Sequence, residues 1–160
     1  MATNWSKRKK AERSTREEVE AAFASGESLE GVILNGVDLR GIDLRGANLR
    51  GADLQNAWLW NADLRGANLI EAKLGGAALH GADLRDSKLR DSRLIGCDLT
   101  KAKLGGADLT GAEWGFLHKA LGDARTVWPE GFAPVARNPS HRKQAAKRTS
   151  RPKRTSRRSR

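Results

Sequence analysis

The side chains best suited to acid–base or nucleophilic chemistry are few and widely separated in this sequence. The histidines are His80, His118 and His141, and the one cysteine is Cys97. General acid–base and nucleophilic catalysis need at least two such groups within hydrogen-bond reach of each other. His80 directly follows a leucine, at a position expected to face solvent. The sequence contains no nucleophile paired with a general acid or base. We therefore predict that the protein is not an enzyme.

Patterns that hold cofactors or metals are also missing from the sequence. One cysteine excludes a disulfide framework and a cysteine-rich zinc site. The glycines do not form the GxxxxGK(S/T) loop that cradles phosphates. The aspartates occur singly and are mostly balanced by arginines, so they do not suggest a metal site. We expect no cofactor, no bound metal and no small-molecule substrate.

The strongest chemical signal is a concentration of positive charge at the C-terminal end. The 160 residues carry a formal net charge of +11, and residues 137–160 hold eleven Lys and Arg with no acidic residue. Such a segment buries too little apolar surface to fold, so we expect a disordered tail. Its cations suit the phosphates of DNA or RNA, with little sequence preference and steep salt dependence; the alternative is a merely solubilising tail. The candidate nucleic-acid-binding residues are Arg142, Lys143, Lys147, Arg148, Arg151, Lys153, Arg154, Arg157, Arg158 and Arg160.

The sequence gives no indication of a membrane or secretory location. No stretch approaches the roughly 20 apolar residues that span a bilayer. Residues 1–10 are polar and basic with no apolar segment behind them, unlike a secretory signal. The basic tail lacks the apolar residues that would anchor it in lipid. We expect a cytoplasmic protein without a membrane partner.

A repeat of five residues organises the middle of the chain. Leucine occupies every fifth position from Leu29 to Leu109, and Trp114 takes the next position. Five residues advance an α-helix by about 500°, so these leucines would not form one apolar stripe. On a straight strand, an odd spacing would place successive leucines on opposite faces. The leucines share one interior only if the chain bends once per repeat, which predicts a coil with short flat sides.

The positions around each leucine agree with such a coil. The residue two before leucine is small or apolar, as at Cys97, and period-two geometry places it inside with the leucine. The residue two after leucine is Gly in eleven of the seventeen repeats. Four others are residue types that tolerate a tight corner, namely Asn56, Asn61, Asp86 and Asp91.

Residues 43–54 read DLRGANLRGADL and resemble the pentapeptide-repeat family, whose repeat is A(D/N)LxX. The resemblance covers residues 28–117. It implies an all-β fold, a right-handed quadrilateral β-helix with twenty residues per coil and a little over four coils here. Some members imitate DNA with an acidic rod and bind type II topoisomerase. Residues 28–117 carry eleven basic and twelve acidic residues, which is poor mimicry of a duplex.

The segments on either side of the repeats are expected to cover the ends of the coil. In residues 1–27, a helix over residues 15–25 is predicted, with Ser14 or Thr15 opening a capping box. Residues 118–136 include a T-x-(W/F)-P-x-G-F-x-P segment that resembles one following the repeats in bacterial members. It predicts that Trp128 and Phe132 lie over the last coil. A disordered tail, residues 137–160, completes the chain.

Two outward tryptophans are the most unusual feature of the repeats. Trp58 and Trp60 flank Leu59, so both should face out, with Arg40 one coil before Trp60 and His80 one coil after it. Exposed indoles on a rigid rod are unusual. Three interpretations are open at this point. The N-terminal segment covers the indoles, the indoles contact another protein or a second copy, or they remain exposed. We take these four residues as candidate partner-binding residues.

These features predict a non-enzymatic binding or scaffold protein. A rigid rod would present a surface for macromolecular interaction, and a basic tail would contact DNA or RNA without sequence specificity. The alternatives are a DNA-mimic modulator of DNA gyrase or another topoisomerase, and a purely structural assembly protein that uses the tryptophans as its contact.

Overall fold

The computed structural model describes residues 13–115 and 120–132. One helix, α1 (Arg16–Ala24), precedes a long series of short parallel pairings. One of these pairings lengthens into a pair of strands, β1 (Arg93–Leu94) and β2 (Glu113–Trp114). Within the described residues, no helix has the length and apolar content needed to cross a lipid bilayer.

The chain winds as a β-helix with twenty residues per turn. From Ile33–Asp53 to Lys88–Asp108, each isolated parallel bridge joins residues twenty apart, as does the β1–β2 pair. Backbone hydrogen bonds link each turn to the next, for example from the Leu59 N–H to the Ala78 oxygen at 2.8 Å. Four five-residue repeats therefore complete one turn, as the family resemblance implies.

The interior is built from leucine and small residues. All seventeen leucines of the series are buried, with at most 3% of their surface exposed. From Val32 onward, the residues two before them are buried as well, including Cys97 and the polar Ser87 and Ser92. Each of these serine hydroxyls donates to a backbone oxygen, of Leu84 and Leu89 respectively, at 2.7 Å. Those hydrogen bonds offset the cost of burying a hydroxyl, and the predicted inward positions are confirmed.

A left-handed backbone conformation marks every corner of the coil. The residue two after each leucine has a positive φ, whether it is Gly, Asn or Asp, and also at Glu71 (φ 60°) and Lys101 (φ 59°). Glu and Lys are not residue types that favour this region. The corner conformation at these two positions is therefore set by the coil and not by the local sequence.

The N-terminal end of the coil is covered by α1 and by two arginines. Of the two possible capping boxes, Thr15 with Glu18 forms, and Val19 and Ala22 of the helix are buried in the core. The Arg16 guanidinium donates to the Arg40 oxygen at 2.7 Å, and the Arg13 guanidinium to the Gly36 oxygen at 2.9 Å. The Arg40 oxygen faces the open end of the coil, because its counterpart one turn on, the Trp60 oxygen, accepts from the preceding turn, so Arg16 occupies a group with which another strand would otherwise pair.

The C-terminal end is covered by residues 120–132, which depart from the repeat. Leu121 pairs with Lys103 and Val127 with Asp108, so these pairings join residues eighteen and nineteen apart. Leu121 is 52% exposed, whereas Thr126 is buried and donates its hydroxyl to the Leu104 oxygen at 2.8 Å. Leu121 pairs with the outward residue Lys103, so the change of register turns its side chain outward.

Aromatic side chains finish this C-terminal cover. Phe132 meets Trp114 edge to face with ring centroids 5.1 Å apart, and its centroid lies 4.6 Å from that of Trp128. All three are partly buried against the core. The prediction that Trp128 and Phe132 lie over the last coil is confirmed.

The strained corner at Lys101 gives a stability prediction. Lys101→Gly should raise the free energy of unfolding by about 0.5–1 kcal/mol, because the left-handed conformation costs an L-residue more than it costs glycine. Lys88 is likewise exposed but pairs in an extended conformation between Asn68 and Asp108. Lys88→Gly should therefore destabilise by a similar amount. Urea unfolding of both variants tests this, and equal effects of the two would contradict it.

Candidate interaction surfaces

Trp58 and Trp60 face outward on one side of the coil. Between them, Leu59 is fully buried, whereas the tryptophans are 50% and 45% exposed. The described part of the N-terminal segment leaves them half exposed, so it does not cover them. The orientation predicted from the repeat is confirmed.

Stacking of the turns brings Arg40 and His80 beside these indoles. The Gly41 N–H donates to the Trp60 oxygen and the Asn61 N–H to the His80 oxygen, so Arg40, Trp60 and His80 follow one another in successive turns. In the neighbouring column Trp58 lies between Asp38 and Ala78. We call the outward side chains of Asp38, Arg40, Trp58, Trp60, Ala78 and His80 the tryptophan face.

Three interactions hold Arg40 in place on this face. Its Nε and Nη2 donate to the two carboxylate oxygens of Asp38 at 2.9 and 2.6 Å. Its guanidinium carbon lies 5.4 Å from the centroid of the Trp58 ring, a cation–π distance. Its backbone oxygen accepts from Arg16, as described for the open end of the coil. Hydrogen bonds from Arg40 hold the pKa of Asp38 below its usual value, so the nearest carboxylate stays ionised and paired.

Sequence reasoning found the four candidate residues of the face but missed Asp38 and Arg16. Asp38 could have been found, because an Asp two residues before an Arg recurs at Asp43, Asp63 and Asp83. The contact of Arg16 with the Arg40 oxygen could not have been found from the sequence, because it depends on how α1 packs on the coil.

The next side of the coil carries a ladder of ion pairs. Asp43, Asp63 and Asp83 stack in successive turns, and Lys103 follows them. Each aspartate is paired with the arginine two residues later, Arg45, Arg65 or Arg85, at 2.6–2.7 Å. Paired in this way, the ladder presents alternating charge and not an acidic surface.

Cys97 and the histidines form no reactive set among the described residues. The Cys97 thiol is buried and donates to the Leu74 oxygen at 2.6 Å, and burial raises its pKa to about 12. A thiol held neutral is a poor nucleophile. His80 lies on the tryptophan face, and His118 and His141 lie outside the described residues. Within residues 13–115 and 120–132, no three His, Cys, Asp or Glu side chains group in a way that could hold a metal ion.

The tail residues proposed to contact nucleic acid, from Arg142 to Arg160, lie outside the described residues. Their role therefore rests on sequence and charge alone.

Comparison with known proteins gives one family match. The family model for pentapeptide repeats matches residues 20–51, 47–86 and 79–113, with eight copies. No curated protein matches the chain.

Among solved structures, the pentapeptide repeat protein Rfr23 from the cyanobacterium Cyanothece 51142 is 36% identical, covers 62% of this chain and has a TM-score of 0.48. HetL from Nostoc sp. strain PCC 7120, involved in heterocyst differentiation regulation, is 30% identical over 62% of this chain, with a TM-score of 0.47. This chain spans 65% of the length of the first and 53% of the second. Full-length QnrB1, a plasmid-mediated fluoroquinolone resistance protein, is 22% identical, with 78% and 71% of the two chains covered and a TM-score of 0.32.

The ion-pair ladder predicts a pH-dependent contribution to stability. Hydrogen bonds from Arg85 hold the pKa of Asp83 below its usual value of 3.8. The folded pKa is lowered, so this pair stabilises the fold above the unfolded pKa and ceases to do so as the pH falls through the folded value. Asp83→Asn should therefore be less stable than the parent at neutral pH.

The difference between Asp83→Asn and the parent should shrink as the pH drops below about 4. Thermal unfolding of both proteins across the acidic range measures it. A difference that stays constant with pH would show that the ion pair is not its source.

Proposed function

Because the chain belongs to the pentapeptide-repeat family, we propose that it is a non-enzymatic, cytoplasmic scaffold for macromolecular interaction. Its β-helix presents the tryptophan face to a partner, and the cations of residues 137–160 contact nucleic acid through phosphates. Proteins of this family are in general structural or binding proteins and not catalysts.

The observation that carries this proposal is the exposed indole pair. The interior of the coil buries every leucine of the repeat, yet Trp58 and Trp60 leave about half their surface open on one face. Large aromatic side chains are enriched at binding surfaces because they offer much contact area at a small cost in conformational entropy. An exposed adjacent pair is therefore the strongest candidate contact on the described part of the rod.

The backbone around the pair makes this surface rigid before any partner binds. The Trp58 N–H donates to the Val37 oxygen at 2.9 Å, and its own oxygen accepts from the Leu39 N–H at 2.8 Å. Leu59 anchors the intervening position in the core. A surface that is already ordered loses little conformational entropy on binding, which favours affinity.

The charge distribution supports phosphate contact by the tail and not by the rod. The repeats are nearly neutral, whereas residues 137–160 hold eleven cations and no carboxylate. Phosphate contacts by Lys and Arg supply non-specific affinity, and the logarithm of the binding constant falls with the logarithm of salt concentration by about 0.9 per contact.

A DNA-mimic action on gyrase or another topoisomerase has weaker support. Mimicry of a duplex needs an excess of negative surface charge, but Asp43, Asp63 and Asp83 are each neutralised by an arginine. A purely structural role would use the tryptophan face as a contact between copies. Neither alternative accounts for the basic tail.

Replacing the tail cations tests the proposal in the full-length chain. With the ten residues from Arg142 to Arg160 named above changed to Gln, affinity for duplex DNA at low salt should fall by at least tenfold, and the salt dependence should flatten. Fluorescence anisotropy with a labelled duplex at two salt concentrations measures both quantities.

A matched variant with every tail Arg changed to Lys keeps the charge and should bind like the parent, because non-specific phosphate contact depends on charge. Equal binding by the Gln variant and the parent would refute the nucleic-acid role of the tail. An effect of the parent protein on supercoiling by DNA gyrase that persists in the Gln variant would favour the topoisomerase alternative.

A further inference from the structure

We infer that the tryptophan face binds single-stranded nucleic acid, with Trp58 and Trp60 stacking on its bases. This inference rests on the proposed function, because the tail supplies the phosphate contacts that hold the same strand. It gives the face one occupant, a DNA or RNA single strand, in place of an unspecified partner.

The position of the two indoles suits successive bases. Trp58 lies on a flat side of the coil, and Trp60 is the first residue of the corner that follows, where the Ala62 N–H donates to the Leu59 oxygen at 3.1 Å. The two are two residues apart in the chain, so their Cα atoms lie at most about 7 Å from each other. Both are about half exposed, and the small Ala78 follows Trp58 in the next turn and leaves room beside the indole. Stacking of bases on aromatic side chains is sequence-tolerant because every base has a π-face.

The charges on the face are compatible with a polyanion. The Arg40 guanidinium lies over the Trp58 ring, and the indole is still 50% exposed. Asp38, the nearest carboxylate, is already paired with Arg40 through two hydrogen bonds. Arg40 also contributes to recognition by stacking, since arginine adds cation–π contacts to single-strand binding.

The dimensions of the face argue against a protein occupant, including a second copy. The face spans three turns and is about 14 Å tall, and one side of five residues is at most about 16 Å wide, which gives roughly 220 Å². A stable protein interface needs about 800 Å² from each partner. A few nucleotides of a single strand match the available area, whereas a folded partner would have to reach well beyond this face.

The tail is long enough to act on the same strand. The described chain ends at Phe132, which packs on Trp114 and Trp128 at the C-terminal end of the rod, and the sequence continues for 28 residues. Twenty-eight residues reach at most about 95 Å, more than the rod's height of about 20 Å. Phosphate contact by the tail would hold the strand at high effective concentration near the indoles.

A measurement on the parent protein separates stacking from charge. Oligothymidylate and inorganic polyphosphate are both polyanions, but only the first has bases. Both should bind the tail, and only oligothymidylate should quench the tryptophan fluorescence. Equal quenching by both, or by neither, would overturn the inference.

Variants of the face provide the second test. Trp58→Ala with Trp60→Ala should weaken binding of oligothymidylate by at least about tenfold and leave binding of a duplex of equal length unchanged. Trp58→Phe with Trp60→Phe should keep most of the single-strand affinity, since phenylalanine still stacks. Ile95→Ala removes an apolar side chain that is 59% exposed and stands in the column of Gly75, at the corner before the face, and it should change neither affinity.

The outcomes distinguish failure of this inference from failure of the proposed function. If the alanine pair binds oligothymidylate as tightly as the parent while the Gln tail variant does not, the stacking role is wrong and the tail role stands. If the Gln tail variant binds both nucleic acids like the parent, the proposed function fails. Self-association of the parent that the alanine pair abolishes in sedimentation would make the face a contact between copies and overturn the inference.

Discussion

The burial of one leucine in every five residues is the constraint on which the rest of the structure depends. Each buried leucine contributes about 1.5–3 kcal/mol before the loss of chain entropy is subtracted, and neither a helix nor a straight strand brings leucines at this spacing together. The chain must turn a corner after each one. From the second leucine on, a small or apolar residue two positions earlier packs inside with it, and a left-handed residue two positions after each leucine makes the corner.

The same coil creates a problem at its ends, where backbone groups have no further turn to pair with. At the N-terminal end, apolar residues of α1 are buried in the core. Arg13 and Arg16 donate hydrogen bonds to carbonyl oxygens of the first turn. At the C-terminal end, a side chain takes the place of a backbone acceptor. An Asp123 carboxylate oxygen accepts the Gly106 N–H at 3.0 Å, where a backbone carbonyl of a further turn would otherwise do so. Covered ends limit edge-to-edge association of the rods.

Function on such a scaffold is confined to the outward positions, because the inward ones are committed to packing. The outward side chains of each turn are held in columns, so neighbours in space are twenty residues apart in sequence. On one side this order produces self-neutralising ion pairs. On the next it places two indoles, an arginine and a histidine together, and this is the surface to which the proposed binding roles are assigned.

The sequence by itself determined the repeat, the inward positions, most corners and the outward tryptophans, since each follows from spacing along the chain. Only the tertiary structure decided features that depend on contacts distant in sequence. Glu71 and Lys101 adopt positive φ because the hydrogen bonds of adjacent turns set the corner, whatever residue occupies it. Leu121 turns outward and Thr126 inward because the last pairings shift register, and Arg16 reaches Arg40 because α1 packs against the first turn.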